Sequence, residues 1–200
     1  MLSFTLAVLF LIITPGPAVL TAAGFGASYG FRRSIGYVIG LLVGANLIML
    51  LVITGLSAIV LSAPWLRFVL VTISLLFLIY LASKIAFAGS RIAFIRAERP
   101  PGFWSGVLIQ TVNSKAYAVM TSLFTGFNYA PNAFVFEVAT KILIANALWL
   151  PIHLLWLWAG VQLHALDLSA RVQRLINFAM AGALLAVVVL SGLSLLSPAT

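Results

Sequence analysis

The sequence predicts an all-α integral membrane protein of six transmembrane helices, arranged as a 3+3 inverted repeat with a broken first helix. Three observations predict it. Apolar stretches of roughly 20 residues recur along the whole length, each enough to cross about 30 Å of hydrocarbon. Charged side chains make up 7% of the chain, whereas soluble domains carry about 25%. Thr14-Pro15-Gly16-Pro17 interrupts an opening run, residues 1–31, that holds no charged side chain at all.

That interruption defines the first element. Pro15 cannot donate to the carbonyl of Leu11, nor Pro17 to that of Ile13. Lipid offers no water to satisfy such carbonyls, so a break at that depth requires protein or a wet cavity around it. Thr14, Pro15, Gly16 and Pro17 are therefore candidate ligand contacts. A proline kink used only for packing is the plainer reading of the same residues. The opening run lacks a basic segment and is followed by equally apolar sequence, so it is expected to be a retained helix, not a signal peptide.

The spans follow in order: about Leu2–Phe25, Ile35–Leu61, Trp65–Phe87, Phe103–Phe127, Phe134–Val161 and Leu175–Leu196. The second is long enough to tilt. Pro64, Pro100-Pro101 and Pro131 mark turns, and Pro151 is expected to kink the fifth span. Together they form one transmembrane domain over residues 1–200, with half-repeats at about 1–89 and 103–197 and a cytoplasmic linker at about 89–102.

Basic residues sort by loop. Arg32 and Arg33 follow span 1. Arg91, Arg96 and Arg99 follow span 3, with Lys84 at its end, and Arg171 and Arg174 follow span 5. The loops after spans 2 and 4 hold only Arg67. Positive charge stays on the cytoplasmic side, so both termini are expected outside, in the periplasm of a Gram-negative cell. Trp65 and Trp104 sit at span ends, where interfacial anchors belong. The net charge of +8 is explained by these loops. The cations are not gathered on one face with aromatic residues, which argues against nucleic acid as a partner. No cysteine is present, excluding thiol chemistry and thiolate metal sites.

The halves echo each other. Phe4 precedes Thr14 by ten residues, and Phe103 precedes Asn113 by ten. Asn46 lies 32 residues after Thr14, and Asn146 lies 33 after Asn113. An odd number of spans per half inverts the second half relative to the first, as in many secondary transporters.

Within the spans, Asn113-Ser114-Lys115 is the strongest polar signal after the break. Lys115 lies deep in span 4, where a charge costs at least a few kcal/mol and marks a site by default. It can receive a substrate carboxylate or carry a proton, or it can be a structural partner of backbone carbonyls near Thr14. Gln110 lies one turn away and can face the same space. Gly36, Gly40 and Gly44 repeat every four residues, which suits close helix packing, a homodimer contact included. Asn46 lies deeper on that helix, as a ligand or as a hydrogen-bond partner of a neighbouring helix. Glu137 and Lys141 stand at the spacing of a local ion pair. Glu137 is also the one carboxylate in any span, hence a proton-coupling candidate beside Lys115. His153, just past Pro151, is another, or simply a neutral hydrogen bonder. No nucleophile elbow, zinc-protease motif or phosphate loop occurs, and two histidines and three acids, widely spread, make no metal site. No enzymatic activity, metal or cofactor is expected.

At these residues the chain resembles the lysine-exporter (LysE/RhtB) family of bacterial amino-acid exporters. The resemblance covers nearly the whole length. It rests on Thr14-Pro15-Gly16-Pro17, on Gly36-x3-Gly40-x3-Gly44, on Tyr80-Leu81-x2-Lys84 and on Phe103-x2-Gly106 leading to Asn113-Ser114-Lys115-Ala116. Two departures matter. The family commonly has an acidic or amide residue where this chain has Ala18, which disfavours a cationic substrate such as lysine and leaves the coupling ion unplaced. Its Asn-Pro-Lys is Asn-Ser-Lys here, from which a more continuous span 4 is expected.

The resemblance implies export of an amino acid or a derivative, neutral in preference to cationic, across the bacterial inner membrane under the proton gradient. Combined with the residues above, it places a zwitterion between the half-repeats. Carbonyls at Thr14–Pro17 and the amides of Asn46 and Asn113 would take the ammonium. Lys115 and the amides after Pro17 would take the carboxylate. A channel or non-transporting membrane module, with the broken helix lining a pore, is the alternative.

Overall fold

A computed structural model describes residues 1–14, 16–55, 102–166 and 169–196, with isolated positions between 65 and 87. Pro15, Pro64, Arg67, Lys84, Arg91, Arg96, Arg99 and Pro100-Pro101, about half of span 3 and nearly all of the linker lie outside the described residues. Seven helices are delimited among those described: α1 (Leu2–Ile13), α2 (Pro17–Tyr29), α3 (Phe31–Ile53), α4 (Phe103–Thr111), α5 (Ser114–Gly126), α6 (Phe134–Ala165) and α7 (Ala170–Leu196). The chain is a helical integral membrane protein. Among the described residues, helices α3 and α6 are each long and apolar enough to cross a bilayer, and α1 with α2 is so only as a pair bent by 53°, the shape of a broken span or a re-entrant loop.

The elements end where local chemistry requires it. Thr14 leaves the helix at φ −59°, ψ 127°, and α2 restarts with Pro17 in its first position, where a missing N–H costs nothing. Gly30, at φ +79°, turns the chain directly from α2 into α3. Ser34 ties that corner by donating to the Phe25 carbonyl at 2.9 Å. Helix α3 starts four residues before the expected span and stops at Ile53, ahead of Gly55 at φ +72°. At 23 residues it is long enough to cross a bilayer. Span 4 is interrupted after Thr111, contrary to the more continuous helix expected from Ser114. Asn113, in extended backbone (φ −80°, ψ 99°), holds the N-cap position of the restart without a side-chain cap bond and without any proline. Helix α6 runs 32 residues unbroken through Pro151.

Glycines set how closely the helices approach. A Cβ on Gly40 would lie 1.9 Å from the Phe103 carbonyl oxygen, and one on Gly106 would lie 2.1 Å from that of Tyr37. A Cβ on Gly44 would lie 2.7 Å from the Gln110 Cβ, a side-chain contact. The glycine face of α3 is thus filled by α4 of the same chain at Gly40 and Gly44, while Gly36 faces open space. A second contact of this kind joins α2 to α6, where a Cβ on Gly160 would sit 1.9 Å from the Ala23 carbonyl oxygen and one on Gly26 would sit 2.1 Å from that of Leu157. Small residues let backbones touch where lipid supplies no hydrophobic drive for association. A neighbouring face of α3 exposes Ile35, Ile39, Val43, Leu47 and Leu50, a stripe suited to lipid tails.

Aromatic and ionic contacts close one end. The Phe4 ring packs edge-on against Phe127 at 5.7 Å and against Tyr129 at 6.0 Å. Just beyond, Glu137 and Lys141 pair at 2.6 Å. The Glu137 carboxylate also accepts from the Tyr129 and Ala130 amides, and Lys141 donates to the carbonyls of Phe124 and Phe127. The local ion pair read from the sequence is therefore a knot holding the end of α5 to the start of α6.

Because the Cβ at residues 40 and 160 would strike backbone, Gly40→Val and Gly160→Val should each lower stability in detergent by about 1–3 kcal/mol or prevent insertion. Gly36→Ala should stay within about 0.5 kcal/mol. Thermal melting of the purified variants checks both.

Candidate substrate site

The two interruptions face each other across a small cleft of about 40 Å³, well below the roughly 300–1,000 Å³ usual for small-molecule sites, so an occupant of amino-acid size must widen it. From the first break come Thr14 and Gly16, and from the start of α2 come Ala18 and Val19. The second break supplies Gln110, Asn113 and Lys115. Helix α6 closes the space with Trp149 and His153.

One bond spans the two breaks. The Lys115 ammonium donates to the Thr14 carbonyl at 2.5 Å. Thr14 is also held from behind, since its hydroxyl donates to the Phe10 carbonyl at 2.6 Å. Gly16 makes room for the lysine: a Cβ there would lie 2.9 Å from Lys115 Cδ. The Gly16 backbone is extended (φ −159°, ψ −178°), so it is the close approach and not the dihedral angle that calls for glycine.

Electrostatics of the cleft are positive. The first turns of α2 and α5 both begin at it, and helix N-termini carry roughly half a positive charge each. Lys115 adds a full charge, and no carboxylate stands among the described residues that line it. Acceptors are also present. Asn113 is buried, and its Oδ1 has no hydrogen-bond partner, while its amide nitrogen makes a long contact of 3.4 Å to Gln110 Oε1. His153 lies flat on Trp149, with ring centroids 3.4 Å apart, and its Nδ1 is 2.9 Å from the Trp149 carbonyl.

Of the residues singled out in the sequence, Thr14, Gly16, Gln110, Asn113, Lys115 and His153 come together here. Pro17 starts α2 behind the lining. Asn46 is elsewhere: its amide donates to Asn146 Oδ1 at 2.8 Å, and the Asn146 amide returns the bond at 2.9 Å. Each amide nitrogen also donates to the carbonyl four residues earlier, Leu42 or Ile142. Glu137 is committed to its knot with Lys141. The apolar wall of Leu11, Ile12, Val119, Met120 and Trp149 was not read from the sequence. Trp149 stands four positions before His153, so it shares that residue's helix face, and this spacing was the available signal.

A helical membrane protein with two opposed helix breaks around a polar cleft has the build of a small-molecule translocator. The chain matches the family described as LysE type translocator over residues 9–197, and it belongs to that family. Two relatives are each 28% identical over 134 residues, which is 66% of this chain and 68% of theirs. They are the cysteine/O-acetylserine efflux proteins of Salmonella paratyphi A and Salmonella typhi. No solved structure matches the chain significantly.

The reciprocal asparagine pair yields a clear expectation. Asn46→Leu and Asn146→Leu should each cost about 1 kcal/mol by leaving the other amide unpaired, and the double variant should cost less than the sum. A double-mutant cycle of unfolding in detergent measures the coupling.

Proposed function

We propose that the protein is a secondary exporter of a neutral amino acid or amino-acid derivative across the bacterial inner membrane, working by alternating access and driven by protons. The observation that carries this reading is the cleft itself: it joins a lysine, two helix N-termini and one uncommitted oxygen, Asn113 Oδ1, with no carboxylate among the described residues that line it. A zwitterion matches that set. Lys115 and the free amides after Pro17 suit its carboxylate. The Thr14 carbonyl and Asn113 Oδ1 suit its ammonium. Met120, Val119 and Trp149 would face a side chain of modest size once the cleft widens, whereas a second cation would meet Lys115 with nothing to balance it. The relatives' names, which specify cysteine and O-acetylserine, are in keeping with a small neutral amino acid.

The 3+3 inverted repeat is supported by the positions of the matched elements. Asn46 and Asn146, 100 residues apart, exchange equivalent bonds, and the two breaks stand 99 apart at Thr14 and Asn113. Rocking about the asparagine pair would open the cleft to each side in turn. The basic loops favour termini outside, which places the Phe4–Tyr129 and Glu137–Lys141 contacts at the outer end. Among the coupling candidates His153 has the best position, lining the cleft beside Lys115, while Glu137 is engaged in the outer knot.

Cells overproducing the protein should enrich their medium in one neutral amino acid or derivative relative to a deletion strain. Lys115→Met, shown to be inserted and stable, should lower that export about 10- to 100-fold, the loss of one charge-assisted contact. Unchanged export by Lys115→Met would sink the proposal.

A further inference from the structure

The bond between Lys115 and Thr14 joins groups that the exporter reading assigns to opposite ends of one substrate, and the following inference rests on that reading. We propose that this bond is an internal stand-in for the substrate: a zwitterion enters by inserting between the Lys115 ammonium and the Thr14 carbonyl, and its departure lets the two close again.

The position of Lys115 argues for a bond that can be exchanged. It is the second residue of α5, so its charge lies at the positive end of its own helix, an unfavourable place. It reaches instead to Thr14, just past the C-terminal, negative end of α1 in the other half. One cation therefore serves as bridge between the two broken helices. The bond pairs a full charge with a neutral carbonyl only, although Lys115 is half-buried. A substrate carboxylate is a better partner for that ammonium than a carbonyl is. Once displaced, Lys115 leaves Thr14 without a donor, and the carbonyl then needs the substrate ammonium, because an unsatisfied backbone oxygen is costly at this depth. Asn113 Oδ1 is already unpartnered beside it. Insertion thus trades one bond for at least two, but only for a molecule that brings both charges.

Two consequences follow. A carboxylate alone would draw Lys115 away and strand the Thr14 carbonyl. An amine alone would find that carbonyl occupied. Gly16 is the positioning residue, since a Cβ there would sit 2.9 Å from Cδ and 3.3 Å from Nζ of Lys115, pressing that side chain aside and weakening its hold on Thr14. The Gly16 backbone is one that alanine adopts freely.

The test uses the full chain, purified and reconstituted in proteoliposomes, with three probes in mildly acidic buffer. These are O-acetyl-L-serine, its analogue without the amino group, and O-acetylethanolamine, which lacks the carboxylate. Binding is read by tryptophan fluorescence, Trp149 lining the cleft, and transport by efflux of preloaded probe. The native protein should bind the zwitterion at least about tenfold more tightly than either analogue. Gly16→Ala, with Lys115 still charged but displaced, should bind O-acetylethanolamine about tenfold better than the native protein does. Lys115→Met should show the same gain for the amine and about a tenfold loss for both carboxylate probes. If Gly16→Ala shifts all three probes by one common factor, its effect is packing, and the exchange is overturned while the exporter reading stands. Should Gly16→Ala fail to fold, an unchanged amine affinity in Lys115→Met overturns the exchange in its place. If none of the probes binds or leaves the vesicles, the neutral amino-acid reading and the exchange fall together.

Discussion

A backbone carbonyl in hydrocarbon must have a donor, and that single requirement organises this molecule. Two prolines at the first break remove the donors that Leu11 and Ile13 would otherwise have. The break therefore persists only because something polar is brought up against it. What arrives is the start of α5, with Asn113 and Lys115. The second break is required for the same reason in reverse: a continuous span 4 would bury the α5 N-terminus inside a helix and present no free amides to the cleft. Each interruption supplies what the other lacks, carbonyl oxygen from the first half and cationic donors from the second.

Such a meeting needs a frame that does not drift. Glycine contacts provide it on both sides of the cleft. Gly40 and Gly106 press α3 against α4, and Gly26 and Gly160 press α2 against α6. These are backbone-to-backbone approaches, so the two broken helices are each clamped to an unbroken one. Between the unbroken pair sit Asn46 and Asn146, bonded to each other and to their own helices. An amide pair of this kind fixes register without fixing angle, which suits the place about which two halves would rock. Buried Thr21 and Tyr37 add a further bond of 2.6 Å between α2 and α3, stiffening the first half internally.

Much of this was legible in the chain. Proline in lipid has so few tolerated settings that Thr14–Pro17 announced a broken helix, and a lysine deep in span 4 announced a partner for it. The spacing of Gly36, Gly40 and Gly44 announced close packing, although which helix would fill it could not be read, since a small-residue face fits α4 or a second copy equally well. The second break was less visible. Without proline, only Asn113 marks it, and asparagine in an apolar run is equally at home bonding to a neighbour, as Asn46 turns out to do. The apolar wall of the cleft was hidden for a general reason: Val119, Met120 and Trp149 look like any core residues until the breaks that leave space beside them are placed.

Ala18 gives the cleft its character. An acid at that position would stand in the first turn of α2, beside the break, and would neutralise Lys115 before any substrate arrived. With alanine there, the lysine has only a neutral carbonyl as partner and keeps its appetite for an anion. The positive ends of α2 and α5 increase that appetite, and Asn113 Oδ1 remains as an oxygen without a donor. A cationic amino acid would add charge to a site that already has too much. A simple anion would satisfy Lys115 but leave the Thr14 carbonyl open. The proposed neutral zwitterion would answer both demands at once.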